Sequence, residues 1–248
     1  MAQAERVIAV TGASRGIGAA IALELAQRGF RVGCLTRKGA GIESASVSEA
    51  VAALCINVRC DVEDETSVKR SFAALMQKAG RIDGLVNNAG LHRDGKSSEL
   101  PTAEFDQLMT TNARSVFVAS REAYPYLSAK GGTIVNIGSF FDKLGVKRNL
   151  AYCASKAAVG AITRCLAVEW ASKGIRVLNV APGYIETELN AEALKKDALR
   201  TFLEQRIPAG KPGSAAAVAR LVGSLFAEDI AFLTGETIYI DGGQGMAH

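Results

Sequence analysis

Val7-Ile8-Ala9-Val10-Thr11 runs directly into Gly12-Ala13-Ser14-Arg15-Gly16-Ile17-Gly18, and a stretch of helical periodicity follows at once. The short β-branched run predicts a strand, the 3.6-residue spacing predicts a helix, and the glycines between them permit a sharp turn. Outward from this point the same alternation repeats. Strands are predicted near 6–11, 31–36, 57–61, 82–87, 132–138, 175–180 and 237–240, with helices over 17–28, 64–79, 102–128, 151–172, 188–205 and 214–227. Gly29, Gly80 and Gly174 stand just past three of those helices, where a residue tolerant of positive φ is favoured. The least patterned stretch is 38–56, in which only a short helix over 47–54 is expected. Alternating strands and helices are the pattern of βαβ units around a parallel sheet.

No linker, internal repeat or low-complexity tract interrupts this order, so residues 1–248 are read as one domain. Hydrophobic residues at 48% and charged residues at 22% suffice for a sizeable core beneath a polar surface. The net charge of +4 arises from dispersed Lys and Arg rather than a basic run, which argues against a nucleic-acid partner. No segment approaches the roughly 18 uninterrupted apolar residues of a membrane span, and the start lacks a signal-peptide core. A cytoplasmic protein is expected, with no membrane partner. Five cysteines without CxxC spacing fit buried thiols better than disulfides. With only His92 and His248 there is no material for a His-rich metal site, and none is predicted.

The glycine turn has a chemical reading. Backbone that leaves a strand without Cβ atoms can approach a pyrophosphate, and the following helix offers it unpaired N–H groups. Gly12, Ser14, Arg15, Gly16, Ile17 and Gly18 are therefore candidate cofactor ligands. The architecture implied is α/β: a single-domain, Rossmann-like, doubly wound parallel sheet of about seven strands flanked by helices. Where an acid at the second strand's end would grip the ribose of NAD, this chain has Leu35-Thr36-Arg37-Lys38. Arg37, with Arg15, suits a 2′-phosphate, so NADP(H) is predicted over NAD(H), which remains the alternative.

Further along, Asn87-Asn88-Ala89-Gly90 follows the fourth strand, Ser139 ends the fifth, and Tyr152-Cys153-Ala154-Ser155-Lys156 opens the next helix. With TGASRGIG, Asn112, Pro182-Gly183, Thr187 and Asp241-Gly242-Gly243, this ordered set resembles the short-chain dehydrogenase/reductase family over nearly the whole chain. The resemblance implies that Lys156 also holds the nicotinamide ribose and that Asn112 kinks its helix to position a water in a proton relay. It places Asp61 and Val62 beside the adenine, and Asn88, Ala89 and Gly90 along the cofactor. Pro182, Gly183, Ile185 and Thr187 border the nicotinamide, while Asn87 steadies the sheet. Asp61 has a second reading as the cap of the helix that follows.

The residues themselves support a site. Tyr152 and Lys156, four apart on a helix, share one face. A nearby ammonium and a cofactor positive charge favour the phenolate, which suits Tyr152 to acid/base work, and Ser139 can donate to a carbonyl oxygen gaining negative charge. The expected reaction interconverts a ketone and a secondary alcohol by hydride transfer. The substrate is a small carbonyl compound or alcohol, free or carrier-bound, covered by residues 186–211. Arg93-Asp94 after the NNAG motif resembles the 3-oxoacyl-carrier-protein reductases. Ser128-Ala129 and Leu178-Asn179 depart from the usual pattern, the latter because the family's asparagine stands one position earlier. A polyol, sugar or other carbonyl dehydrogenase is the alternative. A non-catalytic NADP(H)-binding sensor or scaffold would be expected to lose Tyr152 or Lys156. Phe140 and Phe141 suggest an apolar wall or rings packed inside their loop. Apolar residues around the helices over 102–128 and 151–172, including Val116, Phe117, Val118, Val159, Ile162 and Trp170, together with the family's habit, predict a homodimer or homotetramer.

Overall fold

The computed structural model describes residues 6–43, 47–187, 197–228 and 230–246. The opening strand is β1 (Val7–Thr11), buried at every residue. Val7 and Ala9 pack into one core with Phe72, Leu75, Leu85, Leu127 and Ile134, whereas Ile8 and Val10 pack into another with Ile21, Leu25, Phe30, Val86 and Phe226. A strand covered on both faces reads as a continuous apolar run, which is why this one does not alternate. Each fully buried large side chain contributes about 1.5–3 kcal/mol, so the two cores dominate the favourable side of folding.

After β1 come α1 (Gly16–Gln27), β2 (Arg31–Thr36), α2 (Glu49–Ala52), β3 (Cys55–Arg59), α3 (Glu65–Ala79) and β4 (Gly84–Asn87). The chain continues through α4 (Thr102–Met109), α5 (Ser115–Leu127), β5 (Gly132–Ile137), α6 (Leu150–Trp170), β6 (Ile175–Pro182) and β7 (Ile185–Glu186). Last are α7 (Asp197–Arg206), β8 (Gly213–Ser214), α8 (Ala215–Ala227) and β9 (Thr237–Ile240). The main sheet has seven strands in the order β3-β2-β1-β4-β5-β6-β9, all paired in parallel. This is the expected doubly wound architecture. Its order reverses between β1 and β4, and a crevice at the carboxyl ends of strands on either side of such a reversal is where ligands bind in open α/β sheets. Gly29, Gly80 and Gly174 all have positive φ, as their places after helices require.

Several boundaries differ from expectation. The third strand is Cys55–Arg59 rather than 57–61, because it is an edge strand with only Val58 buried and carries little periodicity. The helix expected over 102–128 is divided by a π-turn at Thr110–Arg114. Residues 188–196 of the helix expected over 188–205 lie outside the described residues, and α7 ends at Arg206. The β7–β8 pair, two residues each, was not anticipated.

A polar row crosses the hydrophobic sheet. Asn87, Asn136 and Asn179 are register partners on β4, β5 and β6. Asn87 Nδ2 donates to Ser120 Oγ at 3.0 Å and Asn136 Oδ1 at 2.8 Å, and Asn136 Nδ2 to Thr163 Oγ1 at 2.9 Å. Buried amides tied in this way fix the register of strands and helices at once. The row also explains the Leu178-Asn179 departure. Leu178 fills the core under α1 and α8, and an asparagine there would face that core instead.

Candidate active site

At the carboxyl ends of β1, β2 and β4 lies a cleft of about 430 Å³. It is lined by Gly12, Ser14, Arg15, Gly16, Ile17, Gly18, Arg37, Asp61, Val62, Asn88, Ala89, Gly90 and Thr187, all predicted from sequence. Gly12 has φ +66°, and a Cβ on Gly18 would lie 2.2 Å from Gly12 O. The phosphate loop therefore admits no side chain at Gly18 without moving backbone. Thr11 Oγ1 accepts from the N–H groups of Asn88 and Ala89 at 3.0 and 3.1 Å, and Asn88 Nδ2 donates to the carbonyls of Thr11 and Gly12 at 3.0 and 3.1 Å. Asn88 thus braces two loops as well as lining the cleft.

These surroundings fit a dinucleotide. Arg15, at the N-cap of α1, makes no side-chain bond to the first helical turn, whose N–H groups face an anion-binding position. Thr36 Oγ1, at the end of β2 and in the cleft wall, is buried without a hydrogen-bond partner. Arg37 and Lys38 are exposed at the same end. Glu43 also lines the cleft, held there by its N–H donating to Ser14 O at 2.8 Å. Nothing in the unpatterned stretch around it signalled this acid. Asp61 does not cap the next helix: that N-cap is Asp64, which accepts from Thr66 N at 2.9 Å.

The second half of the site adjoins the cleft. A Cβ on Gly90 would stand 3.3 Å from Asn112 Oδ1 and 3.8 Å from Lys156 Nζ, so this bare position joins the two halves. Ser139 leaves β5 in extended conformation and begins a 3-10 turn, its Oγ accepting from Phe141 N at 3.2 Å. That bond occupies an acceptor site and leaves the hydroxyl hydrogen available toward the Tyr152 phenol, whose pKa Ser139 lowers. Lys156, one turn on, is 5% exposed, donates to Ile137 O at 2.8 Å and stands 5.7 Å from the Tyr152 ring centroid.

Within the chain itself, burial is the largest influence on the Tyr152 phenol. Burial raises the Tyr152 pKa above its ordinary value, and the Ser139 hydrogen bond only partly offsets it. Burial also lowers Lys156 to about 8.

Asn112 lies within the π-turn. Its Oδ1 accepts from Leu91 N at 2.7 Å, while Nδ2 donates to Leu91 O at 2.8 Å and Ser155 Oγ at 3.0 Å. Ser155 in turn donates to Tyr152 O at 2.8 Å. The helix irregularity expected at Asn112 is present, and the side chain couples the loop after β4 to α6. Pro182, Gly183 and Ile185 lie at the carboxyl end of β6 and in β7. Pro182 pairs with Ile240, Gly183 donates to Ile240 O at 3.0 Å, and Ile185 pairs with Gly213. Of that predicted group Thr187 lines the cleft.

Sequence reasoning missed the ring cluster around Tyr152. Phe141 meets the Tyr152 ring at 5.9 Å and His92 meets it at 4.7 Å, both edge to face. Phe140 and Phe141 are 4% and 7% exposed and both contact Tyr184. They are packed rings that also form a wall beside the phenol.

A family model described as Enoyl-(Acyl carrier protein) reductase matches residues 12–244. The chain is 38% identical to the 2-(R)-hydroxypropyl-CoM dehydrogenase of Xanthobacter autotrophicus, over 96% of this chain and 97% of that one. It is 36% identical to the 3-oxoacyl-[acyl-carrier-protein] reductase FabG of Escherichia coli, over 97% and 98%. Among solved structures it resembles a gluconate 5-dehydrogenase from Burkholderia cenocepacia in complex with NADP and tartrate, with TM-score 0.87, 29% identity, and 98% and 96% coverage. Levodione reductase gives TM-score 0.87 at 30% identity, with 98% and 99% coverage.

Proposed function

The chain belongs to the short-chain dehydrogenase/reductase family, an oxidoreductase family acting on CH–OH and C=O groups, and on that premise we propose an NADP(H)-dependent enzyme that reduces a 3-oxoacyl thioester or a related ketone. The observation that carries this reading is the convergence of Tyr152 and the buried Lys156, whose Nζ stands 5.7 Å from the Tyr152 ring centroid, with Asn112 and Gly90 at the edge of a glycine-walled cleft.

In the reductive direction a bound reduced nicotinamide supplies the hydride. The substrate carbonyl oxygen accepts from Ser139 Oγ and Tyr152 Oη, and the phenol gives its proton to that oxygen as negative charge develops there. A phenol whose pKa is raised by burial is protonated at neutral pH and ready for this donation. Lys156 and Asn112 are assigned to restoring the proton and holding the nicotinamide ribose. Residues 186–211 are assigned to covering the substrate; 188–196 lie outside the described residues, and of the rest Leu203 and Ile207 are buried and Ala209 N donates to Gly242 O at 3.1 Å.

NADP(H) is preferred because Arg15, Arg37 and Lys38 gather around the end of β2, where a 2′-phosphate would be met, although the acids Glu43, Asp61 and Glu63 line the same cleft. The relative solved with NADP supports the same choice. The similarity to a gluconate 5-dehydrogenase keeps a polyol or sugar substrate as the second reading. No helix among the described residues is long and apolar enough to cross a membrane, in keeping with a cytoplasmic enzyme. A homodimer or homotetramer is proposed on Phe117 and Val168, 44% and 83% exposed on α5 and α6. Val116, Val118 and Val159 are instead buried within the chain.

Cofactor oxidation at 340 nm with NADPH and a panel of 3-oxoacyl thioesters, sugars and simple ketones tests the reading. Tyr152→Phe is expected to lower turnover by about 10²–10⁴-fold, with NADPH affinity unchanged. Turnover retained by that variant refutes the acid/base assignment, and tighter binding of NADH than NADPH refutes the cofactor assignment.

A further inference from the structure

His92 lies outside the motif residues and is exposed, yet it is held at both ends. On one side Asn112 clamps the N–H and C=O of the preceding Leu91 at 2.7 and 2.8 Å. On the other, His92 Nε2 stands 2.7 Å from Asn149 Oδ1. The Asn149 amide has a defined orientation, because its Nδ2 donates to Lys147 O at 3.0 Å. Its oxygen therefore faces the imidazole, and Nε2 carries the hydrogen. Asn149 is the N-cap of α6, with its carbonyl accepting from Cys153 N at 2.9 Å, so the imidazole is anchored to the helix that carries Tyr152.

Two more bonds join the same loops: Gly95 N donates to Arg148 O at 2.8 Å, and Arg148 Nε donates to Asp94 Oδ2 at 3.1 Å. Arg148 has φ +67°, and no other non-glycine among the described residues has positive φ. An arginine adopts that conformation only where surrounding contacts impose it, and such strain gathers near functional sites. The product of this clasp is a ring contact. His92 meets the Tyr152 ring at 4.7 Å with planes 87° apart, and Phe141 meets it at 5.9 Å and 82°.

We propose that His92 is a positioning residue: clamped by Asn149, its ring pairs with Phe141 to form a slot that keeps the Tyr152 phenol oxygen aligned on Ser139. The inference rests on Tyr152 as the acid/base and adds a residue that acts through it. Without the imidazole, one flank of the phenol opens to water and the ring samples orientations in which its oxygen leaves Ser139. Turnover then falls with the population of aligned molecules. Cofactor affinity changes little, because the imidazole meets Asn149 and the Tyr152 ring rather than the phosphate loop or the end of β2.

The test uses the full chain labelled with 3-fluorotyrosine and four variants: His92→Ala, His92→Gln, His92→Phe and Tyr152→Phe. The chain has five tyrosines, and the last variant assigns the Tyr152 fluorine resonance. In the wild type, slow ring flipping is expected to give distinct Tyr152 signals. His92→Ala and His92→Gln merge or broaden them, and His92→Phe restores them. With acetoacetyl-coenzyme A as probe, the first two variants lose roughly tenfold in kcat, with KM changed less than threefold, and His92→Phe regains most of the loss. NADPH affinity stays within about twofold throughout, since the variants leave the cleft wall intact.

A His92→Ala protein with wild-type fluorine signals and wild-type kcat, alongside an inactive Tyr152→Phe, overturns the inference and leaves the acid/base reading standing. Full function in His92→Gln but not in His92→Phe also overturns it, because the hydrogen bond rather than the ring would then be the working element. If Tyr152→Phe keeps its turnover, the acid/base reading falls. The fluorine signals alone then decide whether His92 orders that ring, as they do if the thioester is not turned over.

Discussion

Both ends of the sheet carry a cavity of similar size, and one of them lies away from the chemistry. At the amino ends of the strands a space of about 560 Å³ is lined by Arg6, Arg81, Asp83, Lys130 and Arg176, among others. Its charges serve one another and the fold. Asp83 accepts from both Arg81 donors at 2.8 and 2.7 Å and from Val7 N at 2.8 Å, and pairs with Lys130 at 3.1 Å. Arg6 donates to Phe226 O at 2.8 Å and Arg176 to Leu225 O at 3.0 Å, closing the carbonyl end of α8. The cleft of about 430 Å³ at the carboxyl ends has instead a helix start without a side-chain cap, an unpartnered Thr36 hydroxyl and bare glycines. Unmet hydrogen-bonding capacity, more than volume, separates a binding surface from a structural crevice.

If that contrast is right, the largest effect on stability comes from the lower end and leaves binding untouched. Asp83→Ala should destabilise the fold by about 3 kcal/mol, because it strands partly buried cations and the Val7 N–H. Denaturant titration measures the loss, and NADPH affinity should not change. The acid response sharpens the point. Burial pushes the Asp83 pKa up, but hydrogen bonds from Arg81, Val7 and Lys130 outweigh it and leave the net value lowered. Its contribution is therefore fully present above the ordinary carboxylate pKa, about 4, and is lost as pH falls through the lower folded value. The stability gap between wild type and Asp83→Asn should narrow as pH falls below about 4.

Lys156→Met probes the opposite case, a buried charge retained for chemistry. With the lysine lowered from 10.5 to about 8, the folded chain loses that proton more readily than the unfolded one. The variant should gain roughly 2 kcal/mol at pH 7 after loss of the bond to Ile137 is allowed for, at about 1.4 kcal/mol per pKa unit. Wild-type stability rises between pH 8 and 10.5, so the variant's advantage should shrink there. A variant whose advantage over wild type is no greater at pH 7 than at pH 10 breaks this account.

Smaller effects are expected at the cleft's outer end. Arg37→Ala should weaken NADPH by about tenfold and NADH little, since a charge-assisted bond to phosphate is removed. Glu43→Gln should tighten NADPH by about two- to threefold, through relief of like-charge repulsion in a solvated setting. Cofactor fluorescence titration at fixed salt reads both, and equal responses of NADPH and NADH would deny the 2′-phosphate its assigned place.

Legibility in the sequence followed the range of the interactions. The β1 turn, the helix ends at Gly29, Gly80 and Gly174, and the Tyr152–Lys156 spacing are set by residues within a few positions of one another, so their pattern could be read directly. The β3 edge was misplaced because one buried residue leaves no periodicity to read, and the interruption of the helix at Asn112 came from family resemblance rather than from any local signal. Glu43, His92 and Asn149 carried no signal, since their importance lies in what distant segments bring beside them. Sequence by itself determined the alternation of strands and helices, the glycine turn and the identities of the reactive side chains, because backbone geometry and side-chain chemistry are local. Only the tertiary structure decided that Ser139 meets Tyr152, that Lys156 is desolvated rather than an exposed cation, and that His92 closes on the phenol. Burial and long-range contact arise when segments far apart in the chain pack together.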